Sequence, residues 1–205
     1  DGKADIVWQH TDGSVAVWLM NGTVPAGTSG ILGAASGWSV AHVGDFDADG
    51  ATGTAVAVRG LRLLGARDVG FKVPNRVVHG YGLSPALVAE LRAEAPALLL
   101  TVDNGIAAHA GVAAARAAGM RVIVTDHHRP GDTLPECPVV ATRPSNYPFP
   151  ELCGTGVVCK LAQALGADVT PHLDLVALAT IADVVPLLDE NRSLAIAGLR
   201  ALART

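Results

Sequence analysis

The sequence has few aromatic residues, few cysteines and no long apolar run. Only 4% of its 205 residues are aromatic, and its three cysteines lack the Cys-x-x-Cys spacing of a metal or redox pair. This cysteine usage is typical of reduced thiols and argues against a disulfide framework, so we expect a cytoplasmic protein. No apolar run reaches the roughly 18 residues that a transmembrane helix needs, so we expect no membrane partner.

A strong charge of either sign is also lacking. The formal net charge is −4, which gives no electrostatic footprint for nucleic acid. A polyanionic substrate would therefore need a local basic patch or bound cations. Half of the residues are hydrophobic, and Ala, Val, Leu and Gly fill much of the chain. This composition is typical of an α/β protein and excludes a disordered one.

The chain changes style after its first 38 residues. All three tryptophans lie in that stretch, among hairpin turn signals such as Asp12-Gly13 and Asn21-Gly22. From about residue 51, Ala-rich helical stretches alternate with short Val, Leu and Ile runs, which is the pattern of βαβ units. We predict a parallel-sheet α/β domain with helices on both faces over residues 39–205, preceded by a short β-hairpin segment over residues 1–38.

The same periodicities predict the individual elements of the larger part. Strands are expected near residues 39–45, 69–73, 97–103, 121–126 and 138–141. Helices are expected near residues 53–65, 84–94, 107–118, 153–166, 172–182 and 191–203.

Acidic and histidine residues follow three of these strands. They are Asp45, Asp47 and Asp49 after the first, Asp103 after the third, and Asp126, His127 and His128 at the end of the fourth. Because the carboxyl ends of parallel strands share one edge of a sheet, we expect these side chains to converge. A further acid, Asp183, lies in the apolar stretch ATIADVVPL and needs a partner if it is buried.

Several carboxylates with one or two imidazoles and no thiolate form a hard ligand set. Such a set suits Mn²⁺ or Mg²⁺ better than structural zinc. Two ions about 3.5–4 Å apart would clamp the oxygens of an in-line phosphoryl displacement. A carboxylate that bridges both ions is then required, and Asp103, alone at the end of a central strand, is the candidate.

Six motifs in one order connect these residues to a known family. They are GDFDADGATGTA, VPNRVVHGYGLSP, TVDNGIAAHAG, VIVTDHHRPGDTLP, YPFPELCGTGVV and DLVALATIADVVPLLDENR. Over about residues 43–205 this series resembles the DHH phosphoesterases, and among them the RecJ group of single-strand-specific exonucleases. The order and spacing of all six motifs make the resemblance specific.

The resemblance implies a role for each candidate side chain. Asp45 would bind one metal ion and Asp47 the other, while Asp103 would bridge them. His127 and Asp183 would complete the second metal site, and His128 would face the phosphate or the attacking water.

Three more residues would support this centre. Asp49 and Asp126 would orient the metal ligands, a role expected around such sites. Arg76 would contact the phosphates of the substrate.

The implied activity is two-metal hydrolysis of single-stranded DNA from its 5′ end, releasing mononucleotides in DNA repair and recombination. Relatives that cleave short oligonucleotides, cyclic dinucleotides or pyrophosphate use the same metal core and remain alternatives. The motifs identify no protein partner. Val43 stands where many relatives carry a histidine ligand, and we expect the chain to end before the DHHA1 and OB-type domains of the family. Turnover by this chain alone is therefore an open question.

Residues 1–50 resemble a different family, the FG-GAP or VCBS-type repeat of β-propellers. The resemblance rests on DGKADIVW, the hairpin signals and GWSVAHVGDFDADG, and it suggests a chimeric chain. A calcium-binding propeller fragment without catalysis is the alternative from another class. Against it, an EF-hand loop would need Glu where Val56 stands, and a propeller loop would need an acid where Gly53 stands.

Single motifs also have plain structural explanations. Asp103 could simply start a turn with Asn104-Gly105, and the two adjacent histidines could lie in a solvated loop. The stretch Gly154-Thr155-Gly156 could present backbone N–H groups to phosphate or could reflect close helix packing.

Overall fold

The structure is a computed structural model, which describes residues 6–9, 15–21, 24–32, 39–44 and 47–204. Near the N-terminus, strands β1 (Ile6–Gln9), β2 (Val15–Asn21) and β3 (Val24–Leu32) form an antiparallel sheet in that order. The predicted β-hairpin character of this segment is confirmed in the described strands. The turns that join them lie outside the described residues.

The remaining strands form one parallel sheet, as predicted. They are β4 (Ser39–Gly44), β5 (Asp68–Lys72), β6 (Leu98–Val102), β7 (Arg121–Asp126) and β8 (Val139–Ala141). Their spatial order is β5-β4-β6-β7-β8, so the direction of winding reverses between β4 and β6. In open α/β sheets, ligands bind beyond the carboxyl ends of the strands at such a reversal.

Seven helices surround this sheet within the described residues. They are α1 (Ala48–Leu63), α2 (Arg76–His79), α3 (Pro85–Leu91), α4 (His109–Ala117), α5 (Gly154–Ala164), α6 (Leu173–Ala182) and α7 (Asp189–Leu202). None of them is both long and apolar enough to cross a bilayer.

The helices cover both faces of the sheet because the central strand β6 is apolar on both sides. Leu99 packs in one core with residues of α3 and α4, such as Leu87 and Val112. Its neighbours Leu100 and Val102 face the other core, with α1, α5 and α6. All five residues of β6 are buried. The predicted two-sided architecture is therefore confirmed.

The start of one helix and the presence of another differ from the prediction. Helix α1 begins at Ala48, five residues before the predicted start, because the Asp47 side chain accepts a hydrogen bond from Gly50 N at 2.9 Å and caps it. The motif GDFDADG therefore runs into a helix, with Asp49 in its first turn. Helix α2 was not predicted, because its four residues are too few to show a helical period.

Candidate metal centre

The predicted acids and histidines meet at the carboxyl edge of the sheet, beside the reversal between β4 and β6. Asp47 follows β4, Asp103 follows β6, and Asp126 ends β7 with His127 directly behind it. Asp183 comes from the helical layer, as the residue that directly follows and caps α6. Topology alone thus brings together residues that are up to 136 positions apart in sequence.

Asp103 lies at the centre of this cluster. It is 2% exposed, and its backbone φ of 61° lies in the left-handed region that non-glycine residues seldom adopt. Its Oδ1 lies 3.1 Å from His127 Nε2, yet no described residue donates a well-formed hydrogen bond to that oxygen. A buried carboxylate oxygen without a donor is costly unless another positive partner binds it.

The His127 ring joins Asp103 to Asp183 and Asp49. Its Nε2 lies 3.7 Å from Asp183 Oδ2 and 3.8 Å from Asp49 Oδ2. Asp183 Oδ2 is also buried and receives no hydrogen bond from any described residue. One imidazole nitrogen is thus within 4 Å of three carboxylates, two of which carry an oxygen without a donor.

The electrostatics of this cluster disfavour negative charge. Burial raises the pKa of the Asp103 carboxyl to about 7, and the nearby Asp49 and Asp47 carboxylates add to the rise, while His127 opposes it. Burial and the same two carboxylates also raise the pKa of Asp183. For His127 burial lowers the pKa, but the Asp103 and Asp49 carboxylates outweigh it and the net direction is upward.

Asp126 holds the two histidines in place. Its Oδ1 accepts from the backbone N–H groups of His127 and His128 at 2.8 and 3.1 Å, and its Oδ2 accepts from Ile106 N at 2.9 Å. His128 Nδ1 lies 2.7 Å from the same Oδ1. This hydrogen bond is the main reason that the pKa of His128 rises to about 9. Both oxygens of Asp126 are therefore engaged by the chain itself, and the residue is placed to orient the imidazoles.

Asp49 joins α1 to α5. Its Oδ2 accepts from Gly154 N at 2.6 Å, its Oδ1 accepts from Thr155 N at 2.8 Å, and Thr155 Oγ1 donates to its backbone carbonyl at 2.8 Å. Asp49 thus already accepts from the N–H groups of Gly154 and Thr155 at the start of α5. The suggestion that the Gly154–Gly156 stretch presents them to phosphate was wrong, because Asp49 already occupies them.

Asp47 and the other predicted residues have different surroundings. Asp47 is exposed, and its charge contributes to the raised pKa of Asp103 and Asp183, which places it beside them. Asp45 lies outside the described residues, as does the side chain of Arg76 at the start of α2. Val43 is fully buried in the apolar core, so this position offers no metal ligand.

The residues present fit a hard divalent cation. Two groups each offer three ligand atoms within 4.8 Å of one another: Asp103, His127 and His128, and Asp49, His127 and Asp183. Asp49 is engaged with α5, so the free lone pairs come chiefly from Asp103 and Asp183. Two buried carboxylate oxygens without donors, beside an imidazole and without a thiolate, are the donor set of Mn²⁺ or Mg²⁺.

A doubly wound parallel sheet with this carboxylate and imidazole cluster at its carboxyl edge defines an α/β protein with the ligand set of a metal site. The chain belongs to the DHH family, whose N-terminal domain matches residues 39–180. An FG-GAP-like repeat matches residues 1–52. The predicted membership in the DHH family is therefore confirmed.

The chain is similar to exonucleases of this family. It is 47% identical to the single-stranded-DNA-specific exonuclease RecJ of Salmonella typhimurium, over 96% of this chain and 36% of the relative. A crystal structure of exonuclease RecJ bound to manganese superposes with a TM-score of 0.72 at 43% identity, over 80% of this chain and 43% of the other. The structure of RecJ from Thermus thermophilus in complex with Mn²⁺ superposes with a TM-score of 0.69 at 40% identity. The match covers 80% of this chain and 24% of the other. The chain thus spans about a third of the length of its curated relative.

Proposed function

We propose that residues 39–205 form the metal-binding catalytic core of a single-strand-specific exonuclease that hydrolyses phosphodiesters with two Mn²⁺ or Mg²⁺ ions. The observation that carries this proposal is the meeting of Asp103, His127 and Asp183 at one sheet edge, with carboxylate oxygens that lack donors. The manganese reported for the two similar RecJ structures supports the choice of cation.

The ligands divide between two ions in this proposal. Asp45 binds the first ion and Asp47 the second. Asp103 would be shared by both ions, since it is buried and follows β6, which lies between β4 and β7 in the sheet. His127 and Asp183, whose nearest atoms are 3.7 Å apart, complete the second site.

The surrounding residues hold these ligands and meet the substrate. Bound ions of this kind withdraw charge from a phosphate and lower the pKa of a water molecule. Asp126 fixes Nδ1 of His128, so Nε2 is the nitrogen left for a phosphate oxygen or the attacking water. His128 is 47% exposed at its side chain, which leaves it open to substrate. Asp49 anchors α5 behind Asp103, and Arg76 contacts substrate phosphates.

The proposed substrate is single-stranded DNA, degraded from its 5′ end to mononucleotides. The relatives are named for single-stranded DNA, and the net charge of −4 means that bound cations and local groups must attract the polyanion. We further propose a role in DNA repair and recombination in the cytoplasm. None of the three cysteines, all within the described residues, forms a disulfide, which is consistent with a reducing compartment.

The chain divides, in this proposal, into a β segment over residues 1–38 and the catalytic domain over residues 39–205. The FG-GAP-like match to residues 1–52 supports a separate origin of the first segment.

The test is Mn²⁺-dependent release of mononucleotides from a 5′-phosphorylated single strand. Wild type is compared with Asp103→Ala and with Asp168→Ala, a matched control. Asp168 is an exposed acid that accepts from Thr170 N beyond the far end of α5. We expect Asp103→Ala to lose activity and Asp168→Ala to keep it.

Calorimetric titration with Mn²⁺ separates the remaining outcomes. Binding that requires Asp103, without turnover, would establish the metal centre and show that this chain alone does not complete catalysis. Absence of Mn²⁺ binding by the wild-type chain would overturn the proposed function.

A further inference from the structure

The Asn104 side chain lies directly beneath the candidate metal centre and connects two strand ends. It is 1% exposed, and its Nδ2 donates to Val43 O at 3.1 Å and to Val102 O at 2.9 Å. Val43 belongs to β4 and Val102 to β6, the neighbouring strands between which the sheet reverses its winding. A single amide group therefore ties together the two strands that lead to Asp47 and Asp103.

The backbone around Asn104 is held just as firmly. Thr101 Oγ1 donates to Asn104 O at 2.6 Å, and Thr125 Oγ1 donates to Thr101 O at 2.6 Å. These hydroxyls are buried and run from β7 across β6 to the turn. They stabilise a turn in which Asp103 has a φ of 61° and Gly105 a φ of 111°. Aspartate tolerates the left-handed region better than most residues but is still uncommon there, and these hydrogen bonds hold the turn in that conformation.

The oxygen of the same side chain lacks a hydrogen bond in the described part of the chain. Asn104 Oδ1 is buried and accepts no hydrogen bond from any described residue. An unpartnered buried amide oxygen is destabilising, and an apolar side chain would avoid it. What an apolar side chain could not supply is the pair of N–H groups that hold Val43 O and Val102 O. Asn104 therefore connects the two strands at the cost of one buried oxygen without a hydrogen bond from the described residues.

We propose that Asn104 is a positioning residue that sets the separation of the two metal sites. It fixes the end of β4, which leads to Asp45 and Asp47, relative to the Asp103 carboxylate that would be shared by both ions. The inference rests on the proposed two-metal function. Asn104 touches neither ion nor substrate; its effect passes through the backbone of its two partners.

The experiment measures Mn²⁺ binding by calorimetry and the coupling of the bound ions by electron paramagnetic resonance. Two Mn²⁺ ions that share a carboxylate bridge are exchange-coupled, and their spectrum differs from that of isolated Mn²⁺. We compare wild type with Asn104→Ala and Asn104→Ser. The serine variant retains one hydroxyl donor and replaces the alanine variant if the latter does not fold.

Thr142→Val is the matched control for stability. Thr142 is 4% exposed and donates a partly buried hydrogen bond to Pro150 O at 2.9 Å, away from the candidate ligands. Its loss should lower the melting temperature and leave the coupled spectrum unchanged. Circular dichroism confirms that each variant is folded at the temperature of the measurement.

We expect Asn104→Ala to lose the coupled spectrum and to bind the second ion about tenfold more weakly, the usual size for residues that support metal ligands. A folded Asn104 variant with the wild-type coupled spectrum and both affinities would overturn this inference alone. A wild-type chain that binds no coupled pair would overturn the two-metal function, and this inference with it. Loss of coupling in Thr142→Val as well would assign the effect to general stability and would also overturn the inference.

Discussion

Asp103 combines burial, a left-handed backbone and an oxygen without a donor. Each of these features destabilises the folded chain, and together they identify a residue kept for function. The destabilisation depends on pH, because burial raises the pKa of the folded Asp103 carboxyl from its ordinary value of 3.8 to about 7. The protonated form is favoured on folding, so the free energy of unfolding falls as the pH rises from about 4 to about 7.

Asp103→Asn should therefore stabilise the metal-free chain while removing its metal binding. The amide keeps the shape of the carboxylate and carries no charge, so the gain in free energy of unfolding is absent near pH 4 and largest above pH 7. The rise of the Asp103 pKa from 3.8 to about 7 sets an upper limit of about 4 kcal/mol on this gain in the free energy of unfolding. Denaturant unfolding in a chelator, at pH 5 and pH 8, measures it. Equal or lower stability of the variant at pH 8 would contradict the electrostatic explanation.

At this scale, spacing predicted which residues meet but not what each one contacts. The strand-end positions of Asp103, Asp126 and His127 were sufficient to predict their convergence. The hydrogen bonds of Asp49 to α5 could not be predicted, since they join residues 105 and 106 positions apart. Asn104 was considered only as part of a turn; its two carbonyl partners depend on the strand order.

At the scale of elements, the N-terminus of α5 packs closely against Asp103. A Cβ on Gly154 would lie 2.7 Å from Asp103 Cβ and 2.8 Å from Asp103 Oδ1, closer than real contacts allow. Two residues along the same helix, a Cβ on Gly156 would meet Leu152 at 3.4 Å, an ordinary contact. Gly156 therefore has room for a Cβ where Gly154 does not, and substitution of Gly156 is a matched control for substitution of Gly154.

Gly154→Ala should displace Asp103 and weaken Mn²⁺ binding at least about tenfold. Gly156→Ala should leave binding unchanged and alter stability by less than about 1 kcal/mol, since alanine favours the helix over glycine. Calorimetric Mn²⁺ titration of both variants is the measurement. The explanation fails if the two variants bind Mn²⁺ equally well.

Asp49 holds the N-terminus of α5 in position through two charge-assisted hydrogen bonds. Asp49→Ala removes both and should destabilise the chain by about 2–3 kcal/mol. Ser84→Ala is the control, because Ser84 caps α3 through Leu87 N at 3.3 Å, on a helix that bears no candidate ligand. It should cost about 1 kcal/mol. Thermal unfolding gives both stabilities. Mn²⁺ affinity should fall in Asp49→Ala only, and an equal fall in both variants would argue against a specific role for Asp49.

Most elements of the parallel sheet were predictable because their periods are long enough to detect. The exceptions have identifiable physical causes. The start of α1 moved to Ala48 because Asp47, predicted as a strand-end ligand, is also a helix cap. The continuous apolar run of β6 predicted a buried strand but not its neighbours in the sheet. The order β5-β4-β6-β7-β8 depends on packing between segments far apart in sequence.

At the scale of the whole molecule, folding and metal binding are coupled through the carboxylate cluster. Bound cations neutralise the charges that burial disfavours, so Mn²⁺ should stabilise the chain. At a concentration one hundred times the dissociation constant, the gain is about 2.7 kcal/mol. For a domain of this size it corresponds to a rise of roughly 5–10 °C in melting temperature.

This stabilisation should disappear in acid. Metal binding requires the ionised Asp103 carboxylate and the neutral His127 imidazole, and the metal-free pKa of Asp103 is about 7 while that of His127 is raised. Protons must therefore leave as Mn²⁺ binds, and the affinity should rise about tenfold per pH unit for each proton displaced. The Mn²⁺-induced rise in melting temperature should be large at pH 8 and lost near pH 5. Titrations in two buffers of different ionisation enthalpy count the protons released. A melting shift that stays constant between pH 5 and pH 8, without proton release, would show that the ions bind elsewhere than at this cluster.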